Sequence, residues 1–200
     1  RTLLNLTPIK SKSYYIDIAA RIFLMNPIVT PRLTLKKPEM NDVAGIVCAI
    51  DDWEIVQWLS RVPFPYREED AVEFVERSQQ CFNNKTAYRF LIIFEDEIAG
   101  VVGLEREETP ILELGYWVAR RCWGLGIATE SVQAVSRFAF DQLGETLIEA
   151  SCHHKNVASA RVLQKTGFTR TGDGMRFSTA LGESVREIQF LLEKGSLASC

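Results

Sequence analysis

The stretch Leu114-Gly115-Tyr116-Trp117-Val118-Ala119-Arg120-Arg121-Cys122-Trp123-Gly124-Leu125-Gly126-Ile127-Ala128-Thr129-Glu130 decides how this chain folds. A run with strand character enters a short loop holding two glycines one residue apart. Beyond the loop, Ala128, Val132, Val135 and Ala139 recur at i, i+4, i+7 and i+11, the spacing of one helix face. Glycine lets a backbone approach a ligand closely and adopt positive φ. The first N–H groups of a helix are unpaired and sit at the positive end of its dipole. Strand, glycine loop and helix together therefore make a seat for a pyrophosphate. The same spacing also suits a strand-to-helix turn that binds nothing.

Two other nucleotide motifs fit this loop poorly. A Walker A loop needs Gly-Lys-Ser/Thr, which is absent. A Rossmann fingerprint needs a third glycine where Thr129 stands, although Glu149 lies about twenty residues further on, as that fingerprint asks. A Rossmann loop also follows the first strand of a βαβ repeat. Here three strands precede it in quick succession, over residues 88–94, 98–106 and 111–118, with connections too short for parallel crossovers.

Working outward, Leu33 and Leu35 alternate with polar residues after Thr30-Pro31 and predict a first strand over residues 32–37. Helices are predicted over residues 43–51, 53–59 and 67–83. After the loop come a helix over 124–143, a strand over 146–152, a helix over 156–166 closed by Gly167, and a strand pair turning near Gly182. The expectation is one α/β domain over residues 27–195 on a mixed, mostly antiparallel sheet flanked by helices, with a short tail over 196–200. Residues 1–26 form an extension. Its apolar stretch, residues 14–25, is too short to span a bilayer and carries Asp17 and Arg21. It reads as a short amphipathic helix, or as leader residues upstream of a start at Met25.

Composition narrows the function classes. Of 200 residues, 46% are hydrophobic and 24% charged, ordinary for a globular domain. A formal net charge of -3 argues against nucleic-acid binding, which relies on excess positive charge. The five cysteines are scattered with no C-x-x-C pair, so neither a disulfide framework nor a structural zinc site is expected, and the setting reads as reducing and cytoplasmic. Cys152, His153 and His154 look like metal ligands as letters, but on a strand neighbouring side chains point to opposite faces. No metal is expected.

In its motifs the sequence resembles the GNAT superfamily of N-acetyltransferases. Arg121-x-x-Gly124-x-Gly126 is similar to that family's acetyl-CoA loop. Thr30 to Leu33, Gly115 to Trp117, Trp123 to Glu130, Asn156 to Ser159 and Lys165 to Phe168 resemble the ribosomal-protein N-terminal acetyltransferase (RimJ/RimL-type) branch, over about residues 28–194.

The resemblance implies a sheet splayed in its middle, with acetyl-CoA as cosubstrate and a primary amine as acceptor. It implies that backbone N–H groups of Cys122, Trp123, Gly124, Leu125, Gly126, Ile127 and Ala128, beside Arg121, hold the pyrophosphate. The strand through Tyr116, Trp117 and Val118 would pair with pantetheine, a bulge there aiming an N–H at the thioester oxygen. Asn156 would hydrogen-bond the pantetheine arm, or simply cap the next helix.

Many superfamily members carry a tyrosine acid at the position of Leu163, so the leaving thiolate is assigned to Ser159. Glu113, through water, is the expected base; His153 and His154 are the other candidates. Glu105, Glu107 and Glu108 are expected to form a solvated rim. The acceptor remains open between a peptide N-terminal α-amine and a small amine, the protein being a monomer or homodimer. A CoA-binding module without turnover is the rival reading.

Overall fold

A computed structural model describes residues 26–106 and 109–198; the expected extension helix, Glu107, Glu108 and the last two residues of the tail lie outside the described residues. Eight strands form one sheet in the order β1-β2-β3-β4-β5-β6-β8-β7. They are β1 Ile28–Val29, β2 Thr34–Lys36, β3 Ala87–Phe94, β4 Glu97–Arg106, β5 Leu112–Val118, β6 Leu147–His153, β7 Thr169–Ser178 and β8 Glu183–Glu193. The helices are α1 Val43–Ile50, α2 Trp53–Val56, α3 Glu68–Asn84, α4 Ile127–Gln142 and α5 Val157–Lys165. Every neighbouring pair is antiparallel except β5 with β6, which α4 joins as the crossover a parallel pair requires.

The two faces of the sheet bury separate cores. On one face Val132, Val135 and Phe138 of α4 pack on Phe90, Val102, Leu104 and Leu114. On the other, Ile46 and Ile50 of α1, Ile55 and Val56 of α2 and Val75 of α3 pack on Leu91 and Val101. The side chains of β3 and β4 alternate between these faces, as the period of two demands.

The expected splay is present and its cause is visible in the ladders. β4 and β5 stay in register along the whole of β5, from Gly100↔Val118 to Arg106↔Leu112. β5 and β6 pair only at Leu112↔Ile148, Glu113↔Glu149 and Leu114↔Ala150. Beyond Leu114, β5 keeps to β4 while β6 keeps to β8, and a cleft opens between them. The expected bulge in residues 115–118 is absent: the register shifts fall instead at Ile92/Ile93 and at Arg170/Gly172.

Several boundaries moved for local reasons. The helix expected over 53–59 stops at Val56, with Gln57 and Trp58 in a turn. The one expected from 124 starts at Ile127, because Gly124 and Gly126 hold φ of 77° and 79°, outside helical geometry. The short tail is not loose as far as it is described. The Ala198 N–H donates to the Thr166 carbonyl at 3.3 Å, and a side chain on Gly167 would strike Ser196 O at 2.1 Å.

Candidate active site

The glycine loop sits at one mouth of the cleft. A 3₁₀ turn, Arg120–Cys122, takes the chain off β5 and uses two of the expected donors. The Cys122 N–H donates to Ala119 O at 2.8 Å and the Trp123 N–H to Arg120 O at 3.1 Å. This corrects the expected donor set: the N–H groups available for an anion begin at Gly124. The first α4 bond runs from the Glu130 N–H to Gly126 O, so those of Ile127, Ala128 and Thr129 remain unpaired in the first turn. A Cβ on Gly124 would meet nothing within 4 Å, which leaves open space where phosphates would lie.

Of the expected cofactor contacts, Arg121 faces elsewhere and Trp123, though it lines the cleft, is tied to the strand. The Arg121 guanidinium donates to Ile98 O at 2.8 Å and pairs with Glu97 at 2.9 Å, away from the cleft. The Trp123 indole N–H donates to Val118 O at 2.8 Å, which pins the loop to the end of β5 and occupies a carbonyl expected for pantetheine.

The Thr-Pro-Arg-Leu motif explains how the loop is held. Arg32 donates through Nε to Glu130 Oε2 at 2.7 Å and through Nη1 to Leu125 O at 2.8 Å. Thr30 Oγ1 donates to Glu130 Oε1 at 2.6 Å. Burial would raise the Glu130 carboxyl, but the bonds from Thr30 and Arg32 outweigh it and hold it below the usual range.

Deeper in the cleft the hydroxyl of Ser159 lies 2.9 Å from the Tyr116 phenol. Asn156 caps α5, its Oδ1 accepting from the Ser159 N–H at 3.0 Å, and this fixes the serine on the first turn. Asn156 also lines the cleft. Burial pushes the Tyr116 phenol well above its ordinary value, with the hydrogen bond it shares with Ser159 opposing. Burial also raises the neighbouring Cys152 thiol. Leu163, which stands where many superfamily members carry a tyrosine, is a buried core residue. The Tyr116–Ser159 contact joins strand to helix across 43 positions, so no local spacing could announce it.

The expected base is not a free carboxylate. Glu113 Oε1 accepts from Ser151 Oγ at 2.8 Å and from Arg176 Nη2 at 2.9 Å, while Oε2 accepts from Arg176 Nη1 at 3.2 Å. Arg176 also donates from Nε to Glu187 Oε2 at 2.9 Å, and Glu187 is 5% exposed. Burial alone would lower the Arg176 pKa, but Glu113 and Glu187 raise it. These donors already occupy lone pairs of the carboxylate, so it is tied to Ser151 and Arg176.

Nor is His153 placed as a base. Its Nδ1 accepts the Lys155 N–H at 3.1 Å, so the neutral ring carries its proton on Nε2. Burial, then the charges of His154 and Lys155, lower its pKa. His154, stacked on it at 4.8 Å, donates from Nδ1 to Arg186 O.

Glu105 is not a solvated rim either. It accepts from Arg89 at 2.6 Å, Arg61 at 2.6 Å and Arg77 at 3.2 Å. Arg89 could have been singled out as the one charged residue in the otherwise apolar run of β3. Arg61, Arg77, Arg176 and Glu187 carried no such signal. All of these groups border one cleft of about 1090 Å³, which runs from Gly124 past Ser159 to Arg77.

Comparison with known proteins agrees with this geometry. Residues 32–169 match the family model described as an acetyltransferase (GNAT) domain. The chain is 30% identical over 179 residues to Bacillus licheniformis p20, named as an uncharacterized N-acetyltransferase, covering 87% of this chain and 99% of that protein. It is 29% identical over 130 residues to the ribosomal-protein-serine acetyltransferase of Escherichia coli strain K12, covering 64% of this chain and 72% of the relative. Mycobacterium smegmatis RimJ, solved with CoA-disulfide, superposes with a TM-score of 0.76 at 19% identity, over 87% of this chain and 88% of that one. No described helix is long and apolar enough to cross a membrane. The chain belongs to the GNAT acetyltransferase family and is an acetyl-CoA-dependent N-acetyltransferase.

Proposed function

We propose that this protein moves the acetyl group of acetyl-CoA directly onto a primary amine, with a peptide N-terminal α-amine as the preferred acceptor. One observation carries the reading. Where β5 leaves β6 after Leu114, the unpaired N–H groups of the glycine loop stand at one mouth of the cleft and the Ser159–Tyr116 hydroxyl pair stands inside it.

The pyrophosphate lies on the N–H groups of residues 124–128, with the α4 dipole behind them. Pantetheine lies along residues 115–117, and Asn156 reaches it with its side-chain amide while its carbonyl caps α5. The amine attacks the thioester carbon, and the tetrahedral intermediate collapses by breaking the C–S bond. With the Tyr116 phenol donating to Ser159 Oγ, the serine proton is free to point at the leaving sulfur. A raised phenol pKa keeps that donor protonated at neutral pH.

On the acceptor side, Glu113 and Glu187 share Arg176, and this grouping favours an arriving ammonium. The ammonium loses its proton to water before attack. An α-amine titrates near about 7.7 to 8.0 and a lysine near about 10.4, so a site without a dedicated base favours the α-amine. The ribosomal-protein-serine acetyltransferase relative supports the same direction.

The test is CoA release in a competition among a free-N-terminus peptide, its N-blocked lysine-containing twin and spermidine. Fastest turnover of the free peptide is expected. Preference for the blocked twin or for spermidine would move the reading to a side-chain or small-amine acetyltransferase. Acetyl-CoA binding with no turnover of any amine would leave a binding module.

A further inference from the structure

The acceptor end of the cleft contains a second set of charges that acetyl transfer does not use. We infer that the acceptor carries an anionic group some distance from its amine, and that this group docks on Arg61, Arg77 and Arg89. The inference rests on the α-amine reading above and names the class of peptide the site takes.

The placement follows from the ladders. Arg89↔Gly103↔Gly115 and Ala87↔Glu105↔Glu113 are adjacent rows across β3, β4 and β5. Their side chains share the face that α1, α2 and α3 cover. Gly103 and Gly115 present no Cβ, so the floor of the cleft there is bare backbone, and a Cβ on Gly115 would meet nothing within 4 Å. The Arg89 side chain lies over Gly103, where an added Cβ would meet its Cγ at 3.2 Å.

Arg77 and Arg89 have donors to spare where they meet Glu105 beside Arg61. Arg89 Nη1 is buried without any hydrogen-bond partner. Arg77, 55% exposed, makes one bond at 3.2 Å, though a guanidinium has five N–H donors. A buried donor without an acceptor is unfavourable, and a carboxylate arriving in a fork geometry would relieve it. Glu105 keeps the arginines together while the site is empty.

Distance selects the ligand. Reaction takes place beside Gly115 on β5, and the arginines gather on Glu105 of β4, one strand over and two residues along, roughly 8 Å at the usual strand spacing and rise. The carboxylate of a free amino acid is only one carbon from its amine and cannot span that gap. A peptide advances roughly 3.3 to 3.6 Å per residue, so an acidic side chain at its second or third position reaches the arginines while its α-amine stays at Ser159. The Glu113–Arg176–Glu187 group then faces the ammonium and the arginines face the acid, which fixes the direction of the peptide.

The test compares kcat/KM for peptides with Asp at position 2 or Glu at position 3 against their Asn and Gln twins and against twins with Lys there. A preference of at least tenfold for the acidic peptides is expected, shrinking as salt rises. In Arg77→Glu the exposed side chain can be reversed without disturbing a core, and the ratio of acidic to Lys peptide should invert. Free aspartate and glutamate form the small-molecule arm and should be poor acceptors. Equal rates for acidic and neutral peptides, or an unchanged ratio in Arg77→Glu, would overturn the inference and leave the α-amine reading standing. Faster turnover of free aspartate would overturn the peptide assignment alone. Turnover of spermidine and of no peptide would overturn both.

Discussion

The two ends of the cleft are built by different means. At the end proposed for the cofactor the chemistry is main-chain: N–H groups from residue 124 onward, two glycines at positive φ and the start of α4. At the end proposed for the acceptor it is side-chain: Arg61 from the turns after α2, Arg77 from α3, Arg89 from β3, Glu105 from β4, Glu113 from β5, Arg176 from β7 and Glu187 from β8. Backbone geometry is encoded by contiguous residues, because φ and the helix start are local properties. A side-chain cluster is encoded by separate positions that meet only after the sheet has formed. One end can therefore stay fixed within a family while the other is free to change with substrate.

The largest test of this contrast is at the cofactor end. Gly124→Glu places a charged side chain in the open space of the loop, at a φ of 77° that only glycine adopts freely. CoA affinity should fall by more than about a hundredfold, about 2.7 kcal/mol. The strain of a non-glycine residue there adds about 1 kcal/mol of destabilisation. Calorimetry of the folded variant measures the first effect and a thermal melt the second. Unchanged affinity would remove the loop from cofactor binding.

Between the two ends lies the hydroxyl pair. Ser159→Ala should lower kcat by at least about tenfold, about 1.4 kcal/mol, with CoA affinity nearly unchanged, because the leaving thiolate exists only late in the reaction. Tyr116→Phe removes the phenol behind the serine and should lower kcat as well. The double variant should lose little beyond Ser159→Ala, since both act through one bond. Independent, multiplying losses would mean that the phenol reaches the sulfur by itself.

The same contrast explains what could be read without coordinates. The meander and the helix after the glycine loop were legible because periodicity carries them, whereas the splay, Ser159 and Asn156 came from the resemblance of contiguous motifs to the family. Glu113 was legible as a cleft residue, but its pairing with Arg176 was not, since 63 positions separate them. Glu105 was misread for a physical reason: in an acid-rich stretch near a turn nothing in the sequence marks a carboxylate whose side chain meets arginines. The expected donors at Cys122 and Trp123 failed because a 3₁₀ turn satisfied them locally, a choice that residue types there do not dictate.

The acceptor end makes its own prediction in acid. Burial would raise the Glu105 carboxyl, but Arg89 and Arg61 outweigh it and the folded-state pKa lies below the ordinary value. A group of this kind stabilises the fold above its unfolded pKa, about 4.3, and the contribution is lost as pH falls through the lower folded value. Glu105→Gln should cost about 1 to 2 kcal/mol at pH 7, allowing for two half-exposed arginines. The gap to the parent protein should narrow as pH falls below about 4.3. Urea titrations at pH 7 and pH 3.5 measure both. A constant gap would mean that the loss comes from packing, not charge.

The smallest effect returns to the cofactor end and asks whether its backbone is held or merely allowed. Arg32 lies in the motif before β2 and reaches the loop only from outside, its Nη1 on Leu125 O and its Nε on Glu130. Gly126 lies under it, a Cβ there meeting Arg32 Nη2 at 3.3 Å. The pair Arg32–Glu130 is 45% and 15% exposed on its two side chains, so its direct worth to stability is small, within about 1 kcal/mol. Its effect on binding runs through order: a loop already arranged loses less freedom when the pyrophosphate arrives. Arg32→Ala should therefore weaken CoA about three- to fivefold, under about 1 kcal/mol, and shift the melting temperature by only a few degrees. The weakening should persist in Thr30→Val with Arg32 intact, though to a lesser degree, because Thr30 holds the other Glu130 oxygen at 2.6 Å. If both variants bind CoA as the parent does, the two glycines and the helix start suffice, and the Thr-Pro-Arg-Leu motif serves the sheet edge instead.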